Sequence, residues 1–122
     1  MAQNLELEIA DSAARTATTT FDCPDNYGFN GVTVFVEVTA ISSTPSVTFA
    51  IQSQDPKSEA WHTLLVSAAV TGVSSNIYKV FPGATASANL IANDRLLRNW
   101  RIVATHADAD SITYSIGAVL HK

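Results

Sequence analysis

Apolar and polar residues alternate with a period of two along most of this chain. The clearest case is Val32 to Ile41, where Val32, Val34, Val36 and Val38 fall on one face and Thr33, Phe35, Glu37 and Thr39 on the other. An unbroken valine row faces a core, and a face that carries Glu37 is at least partly wet. Ser42 to Pro45 ends this strand, because proline donates nothing to a ladder. The return segment Ser46 to Ser53 buries Val47, Phe49 and Ile51 by the same alternation. Thr16 to Phe21 reads as a strand from its β-branched residues, as do Asn76 to Phe81, Asn99 to Thr105 and Ser111 to Leu120 from their alternation. Trp61, Thr63 and Leu65 begin a further strand after the Asp55–Pro56 turn. Val66 to Val73 fits strand or loop, and Ala84 to Leu97 a long loop with room for a short helical turn.

Six to eight short strands punctuated by turns predict an all-β single domain, an antiparallel β-sandwich of jelly-roll or Greek-key type. Residues 1–14 fit an extended N-terminal arm, in which Leu5, Leu7 and Ile9 alternate with Glu6 and Glu8, and residues 15–122 fit the sandwich itself. The arm would add a strand to a neighbour's sheet; its plainer reading is an ordinary first strand.

Two stretches look alike: Val38 to Gln52 (VTAISSTPSVTFAIQ) and Val103 to Gly117 (VATHADADSITYSIG), with Ser46 matching Ser111 at an offset of 65 (111 − 46). The second halves match well, since Val47, Phe49 and Ile51 align with Ile112, Tyr114 and Ile116. Upstream, Val36 meets Arg101 and Glu37 meets Ile102, which swaps the faces. We therefore read the likeness as that of any two ribbons in one sandwich.

The chain has 122 residues, enough for one hydrophobic core without metal or disulfide staples. Only 15% of residues are charged and the net charge is −4, from 11 acids against 7 bases. An acidic chain with no long basic tract lacks the footprint of phosphate binding, so nucleic acid is not an expected partner. The local cluster Arg95, Arg98 and Arg101, interleaved with Trp100, fits packing and solvated charge better than base stacking. Cys23 is the single cysteine, so no intrachain disulfide forms. The start MAQNLELEIADS has neither the basic nor the apolar region of a secretion signal, and no apolar run is long enough to span a bilayer. Synthesis and folding in a cytoplasm, with no membrane partner, are expected.

Catalytic and metal chemistry find little support in the residues. His62, His106 and His121 stand in no zinc spacing, and His106, Asp108 and Asp110 fall in a turn where acids are solvated. There is no GxSxG, no phosphate-binding glycine loop, and most acids lie in turns. No enzyme activity, cofactor or metal is expected. The aromatics Trp61, Tyr78, Phe81, Trp100 and Tyr114 admit a carbohydrate- or receptor-binding module as an alternative, which requires Trp61 or Trp100 to be exposed. Candidate interaction residues are Leu5, Leu7, Ile9, Trp61, Arg98, Trp100 and Arg101.

Four pieces carry a resemblance: FVEVTAIS from Phe35, FAIQSQDPKSEAWHTL from Phe49, YKVFPG from Tyr78 and RLLRNWRIVAT from Arg95. Their order, from about Asn30 to the C-terminus, resembles small virion proteins of tailed bacteriophages, particularly capsid decoration (cement) proteins. The resemblance implies a homotrimeric β-sandwich made in the host cytoplasm and clamped on the outer capsid surface over junctions of the major capsid protein lattice. It implies no enzyme. A tail or adaptor component is the neighbouring structural alternative.

Overall fold

The computed structural model describes residues 4–122. They form nine strands: β1 (Leu5–Arg15), β2 (Thr19–Asp22), β3 (Gly31–Ile41), β4 (Val47–Gln54), β5 (Trp61–Val66), β6 (Ser74–Phe81), β7 (Ile91–Asn93), β8 (Trp100–His106) and β9 (Ile112–His121). One sheet has the order β1-β9-β3-β6-β7 and the other β2-β8-β4-β5. The two pack face to face as the expected β-sandwich.

The pairings define its type. β1 pairs with β9, β2 with β8, β3 with β6 and β4 with β5, all antiparallel. These four pairs describe one long antiparallel ribbon. Wrapping it on itself adds the pairs β3·β9 and β4·β8. That is the connectivity of a jelly roll, which turns most strand edges inward. The short strand β7 lies outside this plan and pairs parallel with β6. Pro82 and Gly83, the latter at φ +86°, reverse the chain, and residues 84–90 carry it back far enough to re-enter in the same direction. This segment holds no helix. Asn89 sits at φ +64° and Ser87 bridges to Ile91, a tight turn in place of the helical one anticipated there.

Alternation places the core as anticipated. The β3 valines, Val47, Phe49 and Ile51 of β4, Trp100, Ile102 and Ala104 of β8, and Ile112 to Leu120 of β9 interleave between the sheets and exclude water. Each such aliphatic side chain contributes roughly 1.5–3 kcal/mol by burial.

The two similar stretches are not hairpins. Each crosses from one sheet to the other: β3 turns into β4, and β8 into β9. The two corners lie antiparallel and pair in both sheets, so a two-fold relation exchanges β3 with β8 and β4 with β9. Ile41 opposes Ile112, and its counterpart His106 opposes Val47. The corner hydrogen bonds obey the same relation. Ser42 N–H donates to Ser111 O at 2.9 Å, and Ala107 N–H donates to Ser46 O at 2.9 Å.

The upstream mismatch has a simple cause. β3 contains a bulge between Val38 and Ala40, so Thr39 is one residue more than β8 has at that place. Before the bulge the offset becomes 66 (102 − 36), and Val34, Val36 and Val38 match Trp100, Ile102 and Ala104, all buried. The likeness thus reflects two equivalent environments. Phe49 and Tyr114 are themselves counterparts and meet edge to face at 5.1 Å.

The N-terminal segment is not a free arm. Leu5–Arg15 is the edge strand of the first sheet, held in register against β9 from Leu5↔Leu120 to Arg15↔Ile112. Leu7 and Ile9 pack against the core, which is what their alternation serves. Two register shifts and the acids Glu6, Glu8 and Asp11 break up the outer edge, a common guard against unwanted pairing.

Candidate functional site

The wet faces of the two sheets carry different chemistry in equivalent places. Across the first sheet, register aligns Glu8, Gly117, Phe35 and Ile77. Across the second, the counterparts Thr63, Gln52, Arg101 and Asp22 align. Inside the edge residue Glu8 the first row is apolar, with a notch at Gly117; the second is polar throughout.

The polar row is tied together. Arg101 Nε donates to Gln52 Oε1 at 2.8 Å, and Gln52 Nε2 donates to Thr63 Oγ1 at 3.2 Å. The Arg101 guanidinium lies over the Trp61 ring, 4.2 Å from its centroid. Trp61 opposes Gln54, whose Nε2 donates to Glu59 O in the preceding turn. Beside these groups runs a cleft of about 240 Å³ lined by Asp22, Cys23, Asp25, Gln54, Trp61, Asn99 and Trp100.

The far wall of the cleft is the 23–31 turn, and Asn26 anchors it. This buried amide donates to Phe29 O and Leu96 O and accepts from Phe29 N–H. Asp25 is thereby set beside Arg98, with 3.2 Å between carboxylate and guanidinium. Tyr27 donates to the same carboxylate at 3.0 Å and accepts from Arg98 at 2.6 Å. The tyrosine and Asp25 together hold Arg98 above its ordinary pKa. Cys23 is a free thiol on the wall of the cleft. Burial pushes its thiol up to about 12, so it stays protonated at neutral pH.

Of the residues expected from the sequence, Trp61 and Trp100 line the cleft, Arg101 lies over Trp61, and Arg98 is tied to Asp25 of the cleft wall. Trp100 needs a correction as a binding surface. It is 1% exposed, in phase with Ile102 and Ala104, and its Nε1–H donates to Pro24 O at 2.8 Å. Trp61 is half-buried and reachable. Tyr78 and Tyr114 are core residues. Asp22, Gln52, Gln54 and Asn99 were missed, since only tertiary register assembles them.

Leu5, Leu7 and Ile9 lie apart from this cleft, on β1. Leu7 and Ile9 are taken up by the domain's own core, while Leu5 remains exposed. His106, Asp108 and Asp110 do not converge. Asp110 accepts from Thr44 N–H, Asp108 accepts from Asp110 N–H, and His106 turns toward Tyr114. Among the described residues no group of three or more His, Cys, Asp or Glu side chains is placed to hold a metal ion. Among the described residues no helix is long and apolar enough to cross a membrane.

The second surface of interest is a flank, with a signal that lay open in the sequence. Between Glu59 and Asp94 the chain carries one charged side chain, Lys79. This run builds β5, β6, β7 and their loops. It exposes Val73 (65%), Ile77 (49%) and Leu90 (49%), next to Phe35 (39%) on β3. A groove of about 460 Å³ lies between the β5–β6 loop and residues 88–90, lined by Ala68, Val70, Val73, Tyr78 and Leu90 among others, with no carboxylate.

No protein-family model matches this chain, and no curated protein matches it.

Proposed function

We propose that this chain is a non-enzymatic virion protein, a capsid decoration (cement) protein that binds the major capsid protein lattice as a homotrimer and stabilises the head. The observation that carries the reading is the uncharged flank. Interface cores are depleted of charge, and contiguous exposed apolar surface marks contact sites. Here 34 consecutive residues, Ala60 to Asn93, hold a single charge in a chain with 18 charged side chains (11 acids and 7 bases). The phage-like order of the four segments supplies the kind of assembly.

A clamp of this sort works by burying area across several shell subunits. Each copy contributes little, and many symmetric copies contribute together. A rigid jelly roll suits that work, because its strands are cross-linked in both directions of the ribbon. An outer-surface location is consistent with the net charge of −4, which does not favour contact with a packaged genome. Arg98 is paired with the Asp25 carboxylate, which offsets its charge.

Sedimentation velocity tests the self-association, and co-sedimentation with shells of the major capsid protein tests the attachment. The expected result is a trimer that pellets with shells, and loss of both on Val73→Asp together with Ile77→Asp. A monomer at micromolar concentration that ignores shells would overturn the reading.

A further inference from the structure

We propose that the cleft beside Trp61 is a binding site for one ring of a neutral saccharide. The inference rests on the cleft alone and stands independently of the assembly reading. The geometry is that of a fixed aromatic platform beside convergent planar polar groups. The Trp61 ring is held on one face by the Arg101 guanidinium at 4.2 Å, and Arg101 is itself fixed by Gln52. An indole pinned in this way meets a ligand without losing much freedom.

Asp22 and Arg101 face each other in register on β2 and β8, yet they form no ion pair within the described residues. Arg101 leans instead toward β4 and β5. The Asp22 carboxylate and the Asn99 side-chain carbonyl line the cleft without a hydrogen-bond partner among the described residues, and Arg101, at the cleft's edge over Trp61, uses only its Nε–H on Gln52. They present acceptors and donors together at one end of the sheet. Vicinal hydroxyl groups meet both needs at once, since each donates one hydrogen bond and accepts others. The C–H face of a pyranose ring matches an indole face, apolar beneath a polar rim.

Charge selects neutrality. Asp22 and Asp25 offset Arg98 and Arg101, and the two carboxylates oppose any phosphate or sulfate group. Size selects a single ring. At about 240 Å³ the cleft falls below the roughly 300–1,000 Å³ usual for drug-sized ligands, so the rest of an oligosaccharide would lie in solvent. A ring of about a dozen heavy atoms in a shallow site predicts a Kd on the order of 1 mM.

The test is a titration followed by amide and indole ¹⁵N–¹H NMR with maltotriose, cellotriose, mannotriose and triacetylchitotriose, each to about 20 mM. Trp100 serves as the internal control, because its indole N–H is buried and bonded to Pro24. The expected result is a saturable shift of the Trp61 indole with at least one sugar, while Trp100 stays still. Trp61→Ala and Asp22→Asn should then each weaken binding about tenfold or more. No Trp61 shift with any of the four sugars overturns the proposal. So does binding that survives Trp61→Ala unchanged, or tighter binding of a sulfated trisaccharide at the same cleft.

Discussion

Residues 35 and 101 occupy two-fold-equivalent places on the outer faces of the two sheets, and they could hardly differ more. Phe35 opposes Gly117 and Ile77; Arg101 opposes Gln52 and Asp22. One residue further along each strand, the buried neighbours Val36 and Ile102 are interchangeable in character. The fold therefore constrains the inward phase of both corners equally and leaves the outward phase free. The difference between the faces is not dictated by the core, and it is the contrast on which the two proposals rest: an apolar contact face on the first sheet and a polar cleft on the second.

The sharpest way to break the comparison is to put one charge on each side of the same strand. Val36→Asp buries a carboxylate with no partner and should cost more than about 4 kcal/mol, a large share of the roughly 5–15 kcal/mol that holds an ordinary domain together. Phe35→Asp places the same charge in water and should shift the urea midpoint little. If both variants unfold to the same degree, the inward and outward phases are not distinct.

A smaller effect is expected where the two halves touch. Phe49→Ala should cost about 3–4 kcal/mol by opening a cavity against Tyr114. Combined with Tyr114→Ala it should show a coupling of about 1 kcal/mol, because the edge-to-face pair is lost once and not twice. Additive losses in denaturant unfolding would mean that the contact at the centre of the two-fold contributes nothing of its own.

The period of two was legible because it is local: each valine of β3 predicts the next, whatever the strand pairs with. The bulge at Thr39 was not, since one extra residue carries no marker and still swaps every face upstream of it. That single residue made Val36 align with Arg101 and hid the equivalence of the corners. The three residues of β7 are too few to show a period. The fate of Trp100 was legible, as it shares a phase with Ile102 and Ala104. Trp61 was harder, because the register shift between Ile51 and Gln52 disturbs the pairing of its strand. The cleft itself joins residues from β2, β4, β5 and β8, and no spacing along the chain announces it. The uncharged run, by contrast, needs only a count.

Gly117→Gln tests the outer rows directly, since it copies Gln52 into the equivalent place on the first sheet. A Cβ at Gly117 would approach only Leu7 O, at 3.8 Å, so the fold should tolerate it within about 1 kcal/mol. The notch beside Phe35 would be filled by an amide. Sedimentation should then show weaker self-association with the thermal midpoint nearly unchanged. Undiminished association would remove the first sheet's face from the contact.

The smallest effect concerns Ile41 and its counterpart His106. The histidine Nδ1 is buried without a hydrogen-bond partner among the described residues, and burial lowers the ring's pKa, opposed by the Asp108 charge and reinforced by Arg15. The ring's other nitrogen lies 3.5 Å from Tyr114 Oη. His121 is lowered in the same direction, by burial and by Lys79. With the folded value below the unfolded value of about 6.5, the unfolded chain takes up the proton first. Stability is therefore full above about pH 6.5 and declines as the pH falls through the folded pKa. Urea midpoints measured between about pH 7.5 and 5.5 should drop modestly, in a range where carboxylates stay ionised. His106→Ile, which restores the Ile41 type of residue, should flatten part of that slope and leave the share due to His121. A midpoint that rises on acidification, or a slope unaffected by His106→Ile, would show that the neutral ring is not what this corner requires.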